Sequence, residues 1–162
     1  RKMKHLEIEL KTLLKKEEYD HLKEQFSHIQ PVLQKNYYID TPDFQLREKK
    51  VAMRIRTFSD WAELTLKVPQ TVGSMEYNQK LNLQEAESYL EKQFLPQGLV
   101  LEKLAKIGIE SHDWRILGCL STLRYEMKTE IGLMALDQSH YFDQTDYELE
   151  LEVTDHEKGK AD

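Results

Sequence analysis

Leu6-Glu7-Ile8-Glu9-Leu10-Lys11 and, near the other end of the chain, Tyr147-Glu148-Leu149-Glu150-Leu151-Glu152 alternate charged with apolar side chains without a break. Successive side chains on a β-strand point to opposite faces, so a period of two marks a strand with one apolar and one charged side. Arg54/Arg56, Glu63/Lys67, Glu76/Lys80 and Arg124/Glu126/Lys128 repeat the pattern in between. The chain reads as a sheet with one greasy and one charged face.

Working outward from these strands, Tyr19, Leu22, Phe26 and Ile29 recur at helical spacing up to Pro31, which predicts an amphipathic helix of roughly four turns. Strands are expected over Val32–Asp40, Val51–Phe58, Trp61–Val68 and Met75–Asn82, with turns at Ser59-Asp60 and Gly73. Asn82 followed by Glu85 matches a capping pair that opens a helix closed by Pro96 and Gly98. A shorter helix over Leu99–Lys106 and strands over Leu120–Glu130, Gly132–Gln138 and Asp146–Thr154 complete the reading. The fold class is α+β, and about eight antiparallel strands can close into a barrel with the helices packed outside. The aliphatic face carrying Ile8, Met53, Ile55, Leu64, Leu66, Leu149 and Leu151 is expected beneath the helices. In a closed barrel the charged residues then line the lumen.

Carboxylates at i and i+2 on one strand lie about 6.5–7 Å apart and repel by ~2.4 kcal/mol at an effective dielectric near 20. Bulk water screens this, whereas an enclosed lumen requires a compensating cation, and hard oxygen donors suit Mg²⁺ or Mn²⁺. Arg54 and Arg56 repel in the same way unless an anion bridges them, and guanidinium groups match phosphate oxygens. The wet face of an open antiparallel sheet shows the same alternation, so spacing alone leaves both readings open.

The 162 residues, 40% of them hydrophobic, suit a single domain spanning 1–162. A formal net charge of -6 argues against a general nucleic-acid or anionic-membrane binder. One cysteine, Cys119, forms no internal disulfide and reads as a small core residue. No apolar run approaches a membrane span and no signal segment opens the chain, so a cytoplasmic protein is expected. Arg1 precedes Met3 and the polar tail 156–162 lacks a closing element, so the chain reads as cut, with truncation at the C-terminus. The 6 histidines (His5, His21, His28, His112, His140 and His156) are scattered without zinc-ligand spacing. No phosphate-cradling glycine loop or Gly-x-Ser-x-Gly elbow is present. Tyr37 and Tyr38 have the chemistry to stack on a base, but strand aromatics are usually core.

Glu7-Ile8-Glu9-Leu10-Lys11 resembles the Glu-x-Glu-x-Lys motif of the CYTH, or triphosphate tunnel metalloenzyme, superfamily. The resemblance extends, in order, through Tyr38-Ile39-Asp40-Thr41-Pro42-Asp43-Phe44, Met53-Arg54-Ile55-Arg56, Leu64-Thr65-Leu66-Lys67, Thr122-Leu123-Arg124, Leu136-Asp137 and the late Glu-x-Glu run. Nearly the whole chain is covered, and the sequence is most similar to the small bacterial branch of that superfamily. The resemblance implies an eight-stranded antiparallel tunnel and divalent metal held by Glu7, Glu9, Asp137, Glu148 and Glu150. It also implies a triphosphate gripped by Lys11, Arg54, Arg56, Lys67 and Arg124, with Glu7, Glu9 and Lys11 as the catalytic set and Glu76 and Glu152 in support. Thr122 departs from the pattern, since many hydrolase members carry a lysine there.

The implied activity is metal-dependent hydrolysis of a triphosphate-containing small molecule with Mg²⁺ or Mn²⁺, inorganic triphosphate favoured and thiamine triphosphate open. Two other classes stay open: a class IV-type adenylate cyclase, and a non-catalytic module that binds polyphosphate or nucleotide. Neither nucleic-acid nor membrane partners are implied.

Overall fold

Eight strands, β1 (Lys2–Leu14), β2 (Val32–Asp40), β3 (Ala52–Thr57), β4 (Trp61–Pro69), β5 (Ser74–Asn82), β6 (Arg115–Lys128), β7 (Leu133–Tyr141) and β8 (Gln144–Asp155), close on themselves in the computed structural model. The structure describes residues 2–155, and the tail 156–162 lies outside the described residues. Around the barrel the order is β1-β5-β4-β3-β2-β6-β7-β8, with every neighbouring pair antiparallel. β3 therefore stands opposite β8, and β2 opposite β1.

Closure fixes the meaning of the alternation. Glu7, Glu9 and Lys11 of β1 point inward with Glu148, Glu150 and Glu152 of β8, while the aliphatic positions between them point out. The barrel interior is thus polar, and the apolar cores lie outside its wall. One core packs Met53, Ile55, Ala62, Leu64 and Leu66 of β3 and β4 under α3 (Leu83–Lys92) and α4 (Leu99–Lys106). Ala62, Leu64 and Leu66 are fully covered at 0% exposure, each large aliphatic contributing about 1.5–3 kcal/mol by burial. A second core joins Tyr19 of α1 (Lys16–Lys23) and Phe26 to Tyr125 and Leu136 on the outer faces of β6 and β7.

Local sequence explains the connections. Asn82 caps α3 by accepting the Glu85 amide at 2.7 Å, and the Glu85 carboxylate accepts the Asn82 amide in return, as the spacing predicts. α4 is held differently: the buried Gln79 side chain on β5 accepts the Val100 amide at 2.6 Å. Asp40 ends β2 and accepts backbone N–H groups of Thr41, Leu46 and Arg47, which pins the short helix α2 (Gln45–Glu48) leading into β3. Two hairpin glycines press on the backbone of tunnel residues. A Cβ at Gly73 (φ +71°) would run into the Glu7 carbonyl, and one at Gly132 (φ +158°) into the Glu152 carbonyl.

Three expectations are corrected. The first helix is two and a bit turns followed by a separate 3₁₀ turn at Glu24–Phe26, with Tyr19 of the first and Phe26 of the second buried in the same core. Ile8 does not lie beneath a helix: with Leu10 and Val153 it forms an exposed outer strip on β1 and β8, at 36%, 64% and 38% exposure, between the territories of α4 and α1. Cys119 is exposed, since its outward position on β6 meets no covering helix. No helix among the described residues is long and apolar enough to cross a membrane.

Candidate active site in the barrel lumen

The lumen is a cavity of about 210 Å³ whose walls bring together nearly every charged residue singled out above. Glu7, Glu9, Lys11, Arg54, Arg56, Lys67, Glu76, Arg124, Asp137, Glu148, Glu150 and Glu152 all line it, joined by Glu63. Neither histidine nor cysteine is among the lining residues.

Its two sides differ in how charge is balanced. On the β1, β5 and β8 side the acids outnumber the bases. Lys67 reaches across from β4 to Glu7 at 2.8 Å, Glu9 at 3.6 Å and Glu76 at 3.8 Å. Lys11 lies 3.5 Å from Glu9, 3.4 Å from Glu148 and 3.7 Å from Glu150. Burial alone would lower both ammonium groups, but the surrounding carboxylates outweigh it and raise them. Arg124 on β6 forms a bidentate pair with Asp137 at 2.8 and 2.7 Å and approaches Glu150 at 3.5 Å. Desolvation opposes its charge, yet Asp137 and Glu150 hold it raised.

Even with these cations the acids remain in surplus. Burial pushes the Glu152 carboxyl up to about 8, and its contact with Glu7, with Glu76 nearby, adds to the shift. Glu76 is raised for the same reasons, burial first and then its hydrogen bond with Glu7. Burial also raises Glu150, with Glu9 and Asp137 pushing the same way against Arg124 and Lys11. Glu7, in contact with both Glu76 and Glu152, makes with them a donor set of hard oxygens short of positive charge, the chemistry that fits Mg²⁺ or Mn²⁺. Among the described residues no three acids gather around one point in coordinating geometry, because the side chains are turned onto Lys11, Lys67 and Arg124. The residues fit a divalent cation by chemistry and would take it by turning from their ammonium partners.

The opposite side is poorer in acids, with Glu63 of β4 level with Arg56 of β3. Arg54 and Arg56 of β3 make no ion pair among the described residues, and the buried Arg54 Nε has no hydrogen-bond partner. Arg56 Nε donates to the Asn36 side chain. Burial and the positive charges of Arg54 and Arg124 push the Arg56 guanidinium down to about 9 against the pull of Tyr38 and Glu63, leaving it charged at neutral pH with no ion pair among the described residues. An unmet buried polar group costs about 1–3 kcal/mol, so an acceptor brought to this wall would stabilise it.

Gln34 and Asn36 of β2, together with Ser139 of β7, were missed by a reading that followed charge, and they line the cavity beside Tyr38 and Thr122. The period-two run Gln34, Asn36, Tyr38 carried the signal, as did the i±2 relation of Thr122 to Arg124 and of Ser139 to Asp137. Tyr38, expected in a core, faces the cavity instead.

A closed eight-stranded barrel with an acid-rich and a guanidinium-rich wall defines a tunnel fold with a charged lumen. The CYTH domain profile matches residues 5–162, and the chain belongs to that family. The "Putative triphosphatase YjbK" of Bacillus subtilis (strain 168) is 38% identical over 157 residues, spanning 96% of this chain and 81% of that protein. A crystal structure from Bacillus halodurans described as a "putative adenylate cyclase" is 40% identical, with a TM-score of 0.87, and covers 98% of this chain and 86% of that one. A Hippeastrum protein whose description reports a dominant triphosphatase activity shares the fold at 21% identity and a TM-score of 0.68, covering 97% and 83% of the two chains.

Proposed function

We propose that the protein is a divalent-metal-dependent hydrolase of triphosphates, with inorganic triphosphate as its favoured substrate. The observation that carries this reading is the pair Arg54 and Arg56, which face the cavity with no ion pair among the described residues, opposite a wall with carboxylates in surplus. A chain of phosphates supplies the missing negative charge on one side. Glu7, Glu9, Asp137, Glu148 and Glu150, with Glu76 and Glu152 in support, are the residues that would hold Mg²⁺ or Mn²⁺, which when bound neutralises the phosphate chain and acidifies the attacking water.

The protein's own groups do the rest. Arg54 and Arg56 bind the phosphate chain and stabilise the charge that gathers on its transferring and leaving oxygens, as preorganised donors in a dry site do. Asp137 fixes the Arg124 guanidinium by its bidentate grip, so that this third base is held in place before substrate arrives. Lys11 and Lys67 neutralise the acids until substrate enters and then offer their ammonium groups to phosphate oxygens. Glu7 and Glu9 orient the attacking water, and no covalent enzyme intermediate is required. The small polar cavity of about 210 Å³ supports inorganic triphosphate over a bulky organic ester.

The test is phosphate release from inorganic, thiamine and nucleoside triphosphates with Mg²⁺, with Mn²⁺ and without metal. Turnover is expected with inorganic triphosphate and either metal, and none in chelator. Absence of phosphate release from every triphosphate, with Glu7→Gln behaving like wild type, sinks the reading. The description of the Bacillus halodurans relative favours a second reading, an adenylate cyclase, for which ATP would yield cyclic AMP and pyrophosphate. The pairing of Lys11, Lys67 and Arg124 with acids favours a third, a binding module, for which calorimetry would show tight anion binding without turnover.

A further inference from the structure

Between the Arg56 and Arg124 levels of the tunnel lies a belt without charge. On the β2–β6 ladder Asn36 is level with Leu120, Gln34 with Thr122, and Val32 with Arg124. On the next ladder Thr122 is level with Ser139, and Arg124 with Asp137. Asn36 holds Arg56, and Asp137 holds Arg124. Gln34 therefore sits one step from each guanidinium, on the wall between them.

The belt is buried, with Gln34 at 2%, Thr122 at 3% and Ser139 at 5% exposure. The hydroxyls of Thr122 and Ser139 bond each other at 2.9 Å. Gln34 lines the cavity, and its buried Oε1 has no hydrogen-bond partner among the described residues; a half-turn of the carboxamide puts the Nε2 donor in its place. None of the ion pairs or hydrogen bonds that hold the barrel accounts for this carboxamide. Its place between the guanidinium groups of Arg56 and Arg124 does.

We propose that Gln34, backed by Thr122 and Ser139, is a specificity-determining contact that hydrogen-bonds the phosphate unit lying between Arg56 and Arg124. The inference rests on the triphosphate reading above. The Nε2 group of the carboxamide donates to a phosphate oxygen and brings no charge. It suits a phosphate unit carrying a single negative charge, which is an internal unit of a chain. A dianionic phosphate, free or terminal, is better met where the unpaired Arg54 and Arg56 converge. The belt thus selects anions long enough to pass it and reach Arg124, and orthophosphate gains nothing from it.

The test is calorimetric titration of the metal-free full chain with inorganic triphosphate and with orthophosphate, on wild type, Gln34→Leu, Gln34→Met and Arg56→Ala. Gln34→Leu is expected to weaken triphosphate binding about 10–100-fold, the worth of one hydrogen bond to a charged group, with orthophosphate binding unchanged. With Mg²⁺ its KM should rise by a similar factor while kcat stays within about twofold, the signature of lost uniform binding. Gln34→Met, unbranched and of similar length, answers the question if Gln34→Leu does not fold. Triphosphate bound as tightly by both Gln34 variants as by wild type, while Arg56→Ala loses it, overturns the Gln34 assignment and leaves the tunnel reading standing. Wild type and Arg56→Ala that are equally indifferent to triphosphate overturn both.

Discussion

The two walls of the lumen hold similar side chains in opposite states. Lys11 and Lys67 on the acid-rich side each stand within 4 Å of three carboxylates, whereas Arg54 and Arg56 across the barrel have none among the described residues. One wall is balanced by its own residues and still leans negative; the other waits for charge from outside. The comparison teaches that position in the barrel, and not residue type alone, decides which bases are available to a ligand.

The largest effect should come from the unpaired wall. Arg56→Ala is expected to lower kcat/KM for inorganic triphosphate by about 10²–10³-fold, the usual loss for one preorganised donor, with the melting temperature unchanged or raised because an uncompensated cation is removed. Steady-state kinetics beside thermal denaturation separates the two. If Lys67→Met costs as much as Arg56→Ala, the walls are equivalent and the comparison breaks.

Glu7→Gln tests the balanced wall. It removes an oxygen donor and the acid nearest Lys67, so the Mg²⁺ concentration for half-maximal activity should rise about 10–100-fold. A metal titration at saturating substrate reads this directly.

Glu152 sharpens the comparison through pH. An acid whose folded pKa is raised from 4.5 to about 8 favours folding only while protonated. Its contribution is full below the unfolded value and is lost as pH climbs through about 8. The metal-free protein should therefore lose melting temperature between pH 5 and pH 8, Glu152→Gln should lose less, and Mg²⁺ should restore wild type by neutralising the acids. A flat wild-type profile counts against the crowding of Glu7, Glu76 and Glu152. The smallest effect is expected from Thr122→Lys, which places an unpaired ammonium at a position only 3% exposed. It should melt slightly below wild type alone and recover with triphosphate.

Much of this was legible in the sequence because strands write their faces in alternate letters. Glu7/Glu9, Arg54/Arg56 and Glu148/Glu150 declared an inward face before any coordinates, and Asn82 with Glu85 announced α3 through a local hydrogen-bond pair. What stayed hidden depended on distant contacts. Lys67 meets Glu7 across 60 residues of sequence, and nothing near Lys67 says whether an acid or a phosphate will face it. Gln34 carries no charge and so gave no contrast against its strand. The motif around Asp40 drew notice as part of a resemblance, while its physical task, anchoring the turn that delivers β3 and its two arginines, needed the backbone amides of Leu46 and Arg47 in view. The uncovered strip of Ile8, Leu10 and Val153 could not be read either, because alternation states which way a side chain points and not whether a helix arrives to meet it.

Both cohesive layers of the molecule, the one under α3 and α4 and the one under α1, sit on the exterior of the cylinder. Cohesion and chemistry therefore occupy opposite sides of the same eight ribbons, and a change to one need not disturb the other. Such a scaffold can be rewritten from within, one alternate letter at a time, as long as its outer aliphatic surface is kept.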